Sequence, residues 1–426
     1  MELSTQFTSY LHHVGEVMGR AERRAGLQDY CRALMLPLKR KSIEPLAAAI
    51  DPQHVRSMHQ SLHHFVADSP WSDEAVLGAV QSWVLPKMTS AKDALRFLIA
   101  DDTGMPKQGE HSVGVARQYC GQLGKTDNCQ VAVSLSVATE HASVPIKYRL
   151  YLPQSWIDDP KRCKAAGVPA EVQFATKPQI SLEQIRQAKQ AGIPGDVVAA
   201  DAGYGDDSAY RDGITELGLL YVVGIKPQTG VWAPTTTATR SPKSARSPGQ
   251  QLDAPVSVKE LALSLKPSQY RKLNRREGTN TKLSSRFAAL RVRAAHRGTQ
   301  HPAPREQEWL LIEWPKGESE PTKYFLSTLP IDISRKNLVA VVKIRWRIER
   351  DYQELKQEFG LDNFEGRNWR GFHHHATLCI AAYGFLVSER LVRGADTKKN
   401  CALRTQPALP KGRVPRGAGA SSATRH

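Results

Sequence analysis

The pattern of apolar and polar positions predicts a chain that is helical at both ends and mixed in the middle. Residues 1–92 have helical spacing throughout. Within them, residues 46–50 and 54–65 predict two helices joined by a turn, with Asp51 as the cap and Pro52 at the first helical position. This pattern fits a DNA-binding helix–turn–helix and a plain helical hairpin equally well.

Short apolar strands that end in acidic residues mark the middle of the chain. Residues 96–100 predict a strand followed by Asp101 and Asp102, and residues 196–200 predict a buried strand with Asp201 at its tip. Further strands and helices are expected at residues 129–138, 144–152, 181–192, 207–217 and 220–225. Antiparallel strands followed by alternating strands and helices predict an α/β fold, a mixed sheet covered by helices.

The second half of the chain begins with a segment that cannot build a core. Residues 234–251 are rich in Pro, Ser, Thr and basic side chains, which is typical of a mobile loop. A separate β-rich block is expected after it, with strands at residues 286–292, 308–314 and 323–327. Helical spacing returns at Ser334, and an apolar helix is expected at residues 376–391, beneath the sheet.

One helix near the end of the chain, predicted over residues 345–356, has a polar stripe. Arg345, Glu349, Tyr352 and Lys356 fall within ~40° of one line along it. A solvated face with intrahelical ion pairs would explain this stripe if the helix stood alone. The strand-end aspartates upstream are possible partners for Glu349, and they favour a functional interpretation.

Charge narrows the class of partner. The chain has 59 Lys and Arg and 42 Asp and Glu, which gives a net charge of +17. This excess indicates that the protein binds an anionic polymer, for which nucleic acid is the first candidate and a membrane surface the second. No apolar run approaches the ~20 residues of a spanning helix, and the N-terminus does not resemble a signal peptide. We therefore expect a cytoplasmic protein without a membrane partner. The six cysteines lack zinc-site spacing and are expected to be reduced and structural.

Three acids are candidates for one metal site. Asp102 and Asp201 end strands that could share one sheet, and Glu349 lies on a helix that could pack beside it. Three carboxylates close together repel each other, and a hard divalent ion such as Mg²⁺ or Mn²⁺ compensates them. Two such ions support phosphodiester cleavage, and Arg345 and Lys356 would then bind phosphate. The His373–His375 run is a poorer metal candidate, because adjacent helical side chains point about 100° apart.

These segments resemble bacterial insertion-sequence transposases of the DDE superfamily. Residues 99–104, 107–109 and 112–119 match the segment around the family's first aspartate, and residues 200–205 match the segment around the second. The third match is the family signature Tyr-x₂-Arg-x₃-Glu-x₆-Lys, in which Arg345, Glu349 and Lys356 occupy the last three named positions. The family's first aspartate is followed directly by Thr, which favours Asp102 over Asp101. Val342 stands where the family has its tyrosine, and Tyr352 is a possible substitute.

The resemblance, which covers about residues 95–390, implies an RNase H-like mixed sheet flanked by helices and interrupted by a β-rich insertion. The expected regions are a helical N-terminal DNA-binding region (1–92), the first part of the catalytic core (93–228), a basic loop and β-rich insertion (229–328), a helical core part with Glu349 (329–393) and a disordered basic tail (394–426).

The activity implied by the resemblance is metal-dependent cleavage at transposon ends and strand transfer into target DNA. Asp102, Asp201 and Glu349 would hold two ions, with Arg345 and Lys356 on phosphate. The implied partners are double-stranded DNA, both terminal repeats and target, and a second copy of the chain on paired ends, which places the protein at the nucleoid. Two alternatives remain, a transposase-derived DNA-binding repressor without catalysis and a stand-alone metal-dependent nuclease.

Overall fold

A computed structural model gives the fold and describes residues 3–89, 95–233, 255–276, 282–295 and 306–398. The helices of these ranges are α1 (Leu3–Gly15), α2 (Ala21–Leu34), α3 (Ile43–Ile50), α4 (Val55–Ala67), α5 (Asp73–Met88), α6 (Gln154–Ile157), α7 (Pro160–Ala165), α8 (Lys177–Gln190), α9 (Ala202–Gly205), α10 (Ser208–Glu216), α11 (Val258–Ser264), α12 (Arg335–Val342), α13 (Trp346–Gln357) and α14 (Trp369–Lys398). A 3₁₀ turn, Lys343–Arg345, joins α12 to α13.

The described strands form one twelve-stranded sheet. They are β1 (Phe97–Pro106), β2 (Ala116–Cys120), β3 (Lys125–Ala138), β4 (Ser143–Leu150), β5 (Val197–Ala200), β6 (Leu220–Ile225), β7 (Gly230–Trp232), β8 (Val256–Ser257), β9 (Arg271–Arg276), β10 (Lys282–Ala294), β11 (Glu308–Pro315) and β12 (Lys323–Ser327).

The centre of the sheet has the strand order β4-β3-β1-β5-β6. β3 is antiparallel to both β4 and β1, whereas β5 is parallel to both β1 and β6. The short strand β5 is buried along its whole length, as expected for an apolar parallel strand covered on both faces. Three antiparallel strands followed by two parallel ones make up the RNase H-like arrangement, which confirms the predicted fold class.

The β-rich block is not separate from this sheet, so that part of the prediction is wrong. β12 pairs antiparallel with β6, from Tyr324 opposite Ile225 to Ser327 opposite Val222, and β11 and β10 follow outward. β6 would otherwise expose the backbone groups of one edge, and the inserted strands satisfy them. The alternation of side chains within a strand carries no information about its pairing partner. The predicted loop at residues 234–251 lies outside the described residues.

Helices cover both faces of the central strands. α8 packs against β1 and β3 on one face, and α13 packs against β1 and β4 on the other. α14 lies on β4 and also contacts α2, α4 and α5 of the N-terminal region. The N-terminal helices and the sheet therefore share one continuous hydrophobic core. The apolar character of α14 reflects this position between two layers.

The turn between α3 and α4 is longer than expected. The Asp51 carboxylate accepts hydrogen bonds from the backbone N–H groups of Gln53 and His54, each at 3.2 Å. Asp51 therefore stabilises a turn instead of capping a helix, and α4 begins at Val55, not at Pro52. An aspartate can satisfy nearby backbone donors in either way, and the sequence does not distinguish the two.

The last helix extends further than expected. α14 continues to Lys398, so residues 394–398 are helical and not part of an irregular tail. The rest of the expected tail, residues 399–426, lies outside the described residues. None of the helices in the described ranges combines the length and the apolar character needed to span a bilayer.

Candidate active site

Two adjacent aspartates of β1 lie on opposite faces of the sheet. Asp101 is opposite Ser134 of β3 and Asp102 is opposite Val133, and successive side chains of a strand alternate between faces. α13 covers the Ser134 face, where the hydroxyls of Tyr352 and Ser134 are hydrogen-bonded. Asp102 faces α8. The geometry of the strand therefore separates two acids that are neighbours in sequence.

On the α13 face, Arg345 joins Asp101 to Glu349. Its Nη1 donates to Asp101 Oδ2 at 2.7 Å, and its Nη2 donates to Glu349 Oε1 at 3.1 Å. Burial raises the pKa of Asp101 to about 7, although the charge of Arg345 opposes that rise. The Glu349 side chain is 65% exposed, so its carboxylate is open to a ligand from solvent.

On the α8 face, Lys177 and Tyr204 hold Asp102. Lys177 Nζ lies 3.1 Å from Asp102 Oδ2, and the Tyr204 hydroxyl donates to the same oxygen at 3.3 Å. Lys177 is the first residue of α8, where Thr176 and Gln179 form a capping box of reciprocal side-chain to backbone hydrogen bonds. Burial raises the pKa of Tyr204, so its hydroxyl stays protonated and can donate. Asp102 is thus oriented by two donors on one oxygen.

Asp201 lies where β5 ends and the short helix α9 begins. Its Oδ1 accepts a hydrogen bond from the Gly203 N–H at 2.8 Å, which makes it the N-cap of α9. β1 and β5 are parallel, with Ile99 opposite Ala199. Asp101 and Asp201 each follow two residues later, so the register places the two acids at the same level of neighbouring strands.

Close packing shapes the segment after Asp201. A side chain at Gly205 would overlap the carbonyl oxygen of Gly224 in β6. A Cβ at Gly224 would in turn lie 2.9 Å from the backbone nitrogen of Ala202. Two glycines therefore let α9 rest directly on β6, and this contact fixes where Asp201 stands at the end of β5.

The charges of four carboxylates act on Arg345, and two of these carboxylates contact it. Burial works to lower the pKa of Arg345, but the negative charges of Asp101, Asp201, Glu349 and Asp102, in decreasing order, raise it overall. The structure therefore joins Glu349 to Asp101, which the sequence analysis had set aside, through Arg345, with Asp201 at the same level of the next strand. Asp102 lies on the other face of β1, so the structure does not bring it into contact with Glu349.

This cluster has suitable ligand chemistry for a hard divalent cation, without a preformed metal geometry. In the described ranges, no three His, Cys, Asp or Glu side chains lie close enough together to hold a metal ion. Arg345 and Lys177 lie against the carboxylates and balance their charge. Carboxylate oxygens are the ligands that Mg²⁺ and Mn²⁺ prefer. The residues therefore fit a divalent ion that would neutralise the carboxylates in place of Arg345 and Lys177.

Lys356 and Tyr352, on the same stripe of α13, have different environments. Lys356 Nζ donates to the backbone oxygen of Gly104 at 2.8 Å and to Gln122 Oε1 at 2.9 Å, beside the exposed surface. Tyr352 is buried, and its hydroxyl is engaged by a serine of β3, so its ring is not available to DNA. Val342, where the family has its tyrosine, is buried as well.

The three consecutive histidines of α14 are structural. All three are buried, and each bonds to the main chain: His373 to Trp369, His374 to both Val66 and Trp71, and His375 to Gly360. The sequence analysis gave this run as a poor metal candidate, and these contacts agree with that.

The sequence analysis set Asp101 aside in favour of Asp102 and missed three polar residues around the predicted acids, namely Gln122, Lys177 and Tyr204. The two-residue alternation of a strand could have indicated that Asp101 and Asp102 have different surroundings. No local pattern marks Lys177 or Gln122, because each reaches the site from a distant segment of the chain.

Comparison with known proteins identifies the family of the chain. A family model described as "DDE superfamily endonuclease" matches residues 6–282, a range that includes Asp102 and Asp201 and ends before Glu349. A relative from Microchaete diplosiphon, "Probable transposase for insertion sequence element IS701", is 31% identical over 190 residues, which are 44% of this chain. The match spans 45% of that relative's length. Since the family match covers more than half of the chain, the protein belongs to the DDE superfamily endonucleases.

Proposed function

We propose that this protein is a DNA transposase that cleaves at the ends of an insertion element and joins the freed 3′-hydroxyl groups to target DNA. The observation that carries this proposal is the Arg345 guanidinium, which joins Asp101 of β1 to the exposed Glu349 on an RNase H-like sheet, with Asp201 at the same level of the next strand. Membership of the endonuclease family and the net charge of +17 support a nucleic-acid substrate.

In this proposal Asp201 and Glu349 hold two divalent ions, Mg²⁺ or Mn²⁺, with Asp102 as the third acid that the resemblance implies, although its side chain lies on the other face of β1 from Glu349. When bound, such ions activate water and stabilise the leaving oxygen of a phosphodiester. Arg345 fixes the Glu349 side chain through its hydrogen bond of 3.1 Å. Lys356 offers its ammonium to a phosphate near the scissile bond, while its bond to Gly104 anchors it to β1.

DNA contacts outside this centre belong to the helical N-terminal region in our proposal. The apolar side of α4 is buried, with Leu62 and Phe65 in the core, and its outer side exposes Arg56 and Gln60. That polar face could enter a DNA groove. The basic segments at 234–251 and in the tail would add affinity for phosphates that is independent of sequence. A homodimer on paired ends, located at the nucleoid, completes the proposal.

The substitution Asp201→Asn tests this function on DNA that carries the element's ends. Asparagine is also a good N-cap, so α9 should form, whereas the anionic oxygen that a hard cation needs is removed. We expect end binding to be equal to wild type or slightly tighter, because negative charge near DNA is lost. Cleavage and strand joining in Mg²⁺ should fall by several orders of magnitude. Glu171→Gln, an equivalent change at an exposed position, is the control and should cleave normally.

The outcomes separate the three candidate activities. Wild type that binds the ends without cutting them would indicate the repressor. Cleavage without end preference or strand joining would indicate the nuclease. Full cleavage by Asp201→Asn would remove Asp201 from the proposed metal site.

A further inference from the structure

A cleft of about 450 Å³ begins at the exposed carboxylate of Glu349 and follows the outer side of α13. Its walls come from three other parts of the chain, which are the segment after α2, the loop between β2 and β3, and the loop after α13. The lining residues that matter for binding are Lys39, Lys41, Gln122, Glu349, Gln353 and Lys356. This cleft therefore connects the N-terminal region to the candidate active site.

The wall from the N-terminal region is held firmly. Lys41 is 4% exposed, and its ammonium donates to the carbonyl oxygens of Leu34 and Glu358. Its backbone N–H donates to Asn363 Oδ1 at 2.8 Å. A buried lysine that bonds to α2 on one side and to the end of α13 on the other fixes the segment between them.

Three consecutive cations in this wall differ in what they contact. Arg40 pairs with Glu365, and Lys41 is committed to the main-chain carbonyls. Lys39 is exposed and has no ion-pair or hydrogen-bond partner within the part of the chain that the structure describes. Lys39 is thus a cation held at the mouth of the cleft with its charge available.

The floor of the cleft has a second available donor. An ammonium has three N–H groups, and Lys356 uses two of them for Gly104 O and Gln122 Oε1. The third is available to a ligand in the cleft. The exposed amides of Gln353 and Gln357 also line the cleft and can donate to phosphate or base oxygens.

We propose that this cleft binds the DNA strand next to the scissile bond, and that Lys39 contacts one of its phosphates. The proposal rests on the proposed function and adds to it a phosphate contact from the N-terminal region. The strand is the occupant that fits two available ammonium groups, amide donors and direct continuity with Glu349. Asp362 and Glu349 are the two acids of the lining, and the three lysines Lys39, Lys41 and Lys356 outnumber them, so the net charge of the cleft favours a phosphate.

The test pairs Lys39→Ala with DNA in which single phosphates are made neutral. End-bearing duplexes carry one methylphosphonate at each position on either side of the cleavage site, and binding is measured by anisotropy without divalent ions. We expect Lys39→Ala to weaken binding about fivefold, as for one exposed charge pair, and to lower the slope of log K against log salt by roughly 0.9. One methylphosphonate should weaken binding by wild type and have no effect on Lys39→Ala.

Two further variants control for structure. Lys189→Ala removes an exposed lysine at the end of α8, outside the cleft, and should keep the wild-type response to every methylphosphonate. Lys39→Arg should restore affinity, because a cation returns to the same place.

Other results overturn the proposal. If Lys39→Ala binds end DNA as tightly as wild type, Lys39 makes no phosphate contact. If Lys39→Ala binds more weakly and still responds to every methylphosphonate as wild type does, the loss of affinity does not come from a lost phosphate contact. Wild type that binds without cleaving would contradict the proposed reaction and leave the cleft result valid, since this assay measures binding alone. Wild type that does not bind end DNA would overturn both.

Discussion

Arg345 donates a hydrogen bond to Asp101 Oδ2 at 2.7 Å across a sequence separation of 244 residues. The same guanidinium holds Glu349, so it ties the central strand of the sheet to the helix that carries the exposed acid. The position of Glu349 relative to β1 therefore depends on a partly buried ion pair as well as on helix packing. This arrangement leads to predictions that distinguish the two faces of β1.

Removal of the guanidinium should destabilise the protein through Asp101. Arg345→Met leaves a buried carboxylate without its counter-charge, and we expect the free energy of unfolding to fall by about 3 kcal/mol. Adding Asp101→Asn should restore part of that loss, because the uncompensated charge is gone. Urea unfolding of both single variants and the double variant measures the coupling. Strictly additive losses would show that the pair does not interact in solution.

The two aspartates of β1 should differ in catalysis. Asp102 is the proposed metal-binding residue, so Asp102→Asn should reduce cleavage by several orders of magnitude. Asp101→Asn keeps an oxygen that can accept from Arg345, and we expect its cleavage rate to be at least tenfold higher than that of Asp102→Asn. Single-turnover cleavage at saturating Mg²⁺ makes the comparison. The reverse order would transfer the metal-binding role to Asp101.

Two glycine substitutions should have opposite effects on stability. The added methyl group of Gly205→Ala meets the main chain of β6, so we expect a loss of about 3 kcal/mol. Gly78 lies inside α5, and a Cβ there has no heavy atom within 4 Å. Gly78→Ala should therefore raise stability by about 0.5–1 kcal/mol through helix propensity. Thermal unfolding of both variants measures the difference, and a tolerated Gly205→Ala would contradict the close contact of α9 with β6.

Acid should destabilise the fold through the histidines of α14. His375 contacts the Tyr30 hydroxyl at 2.8 Å and Gly360 O at 2.9 Å, and burial lowers its pKa to about 4. Between pH 6.5 and 4 the unfolded chain takes up a proton at this position and the folded chain does not, so stability falls as the pH falls. At pH 5 the loss from His375 alone is about 2 kcal/mol.

The variant His375→Gln isolates this contribution. Its stability should depend less steeply on pH than that of wild type, although His373 and His374, whose pKa values are also lowered by burial, keep part of the slope. Urea unfolding at pH 7 and pH 5 gives the comparison. An equal loss in both proteins would mean that His375 is not the titrating group.

Periodicity within single strands and helices was enough to predict the site residues that lie on one short segment of the chain. An apolar run that ends in an acid identified the strand before Asp201, and helical spacing placed Arg345, Glu349 and Lys356 on one side of α13. The surroundings of Asp102 could not be predicted, since Lys177 approaches from a helix 75 residues away in the chain. The same holds for the pairing of β12 with β6, because the choice of strand partner is a tertiary property.

The hydrogen bonds between β6 and β12 limit both the motion of the β-rich block relative to the central strands and the possibility of deleting that block. A block joined to its neighbour by a strand ladder cannot swing like a hinged flap without breaking main-chain hydrogen bonds in series. Excision of residues 229–328 would leave β6 as a bare edge next to the strand that presents Asp201, and such edges invite association with other chains. We therefore expect the two parts to unfold as one cooperative unit, and a version of the protein shortened in this way to aggregate.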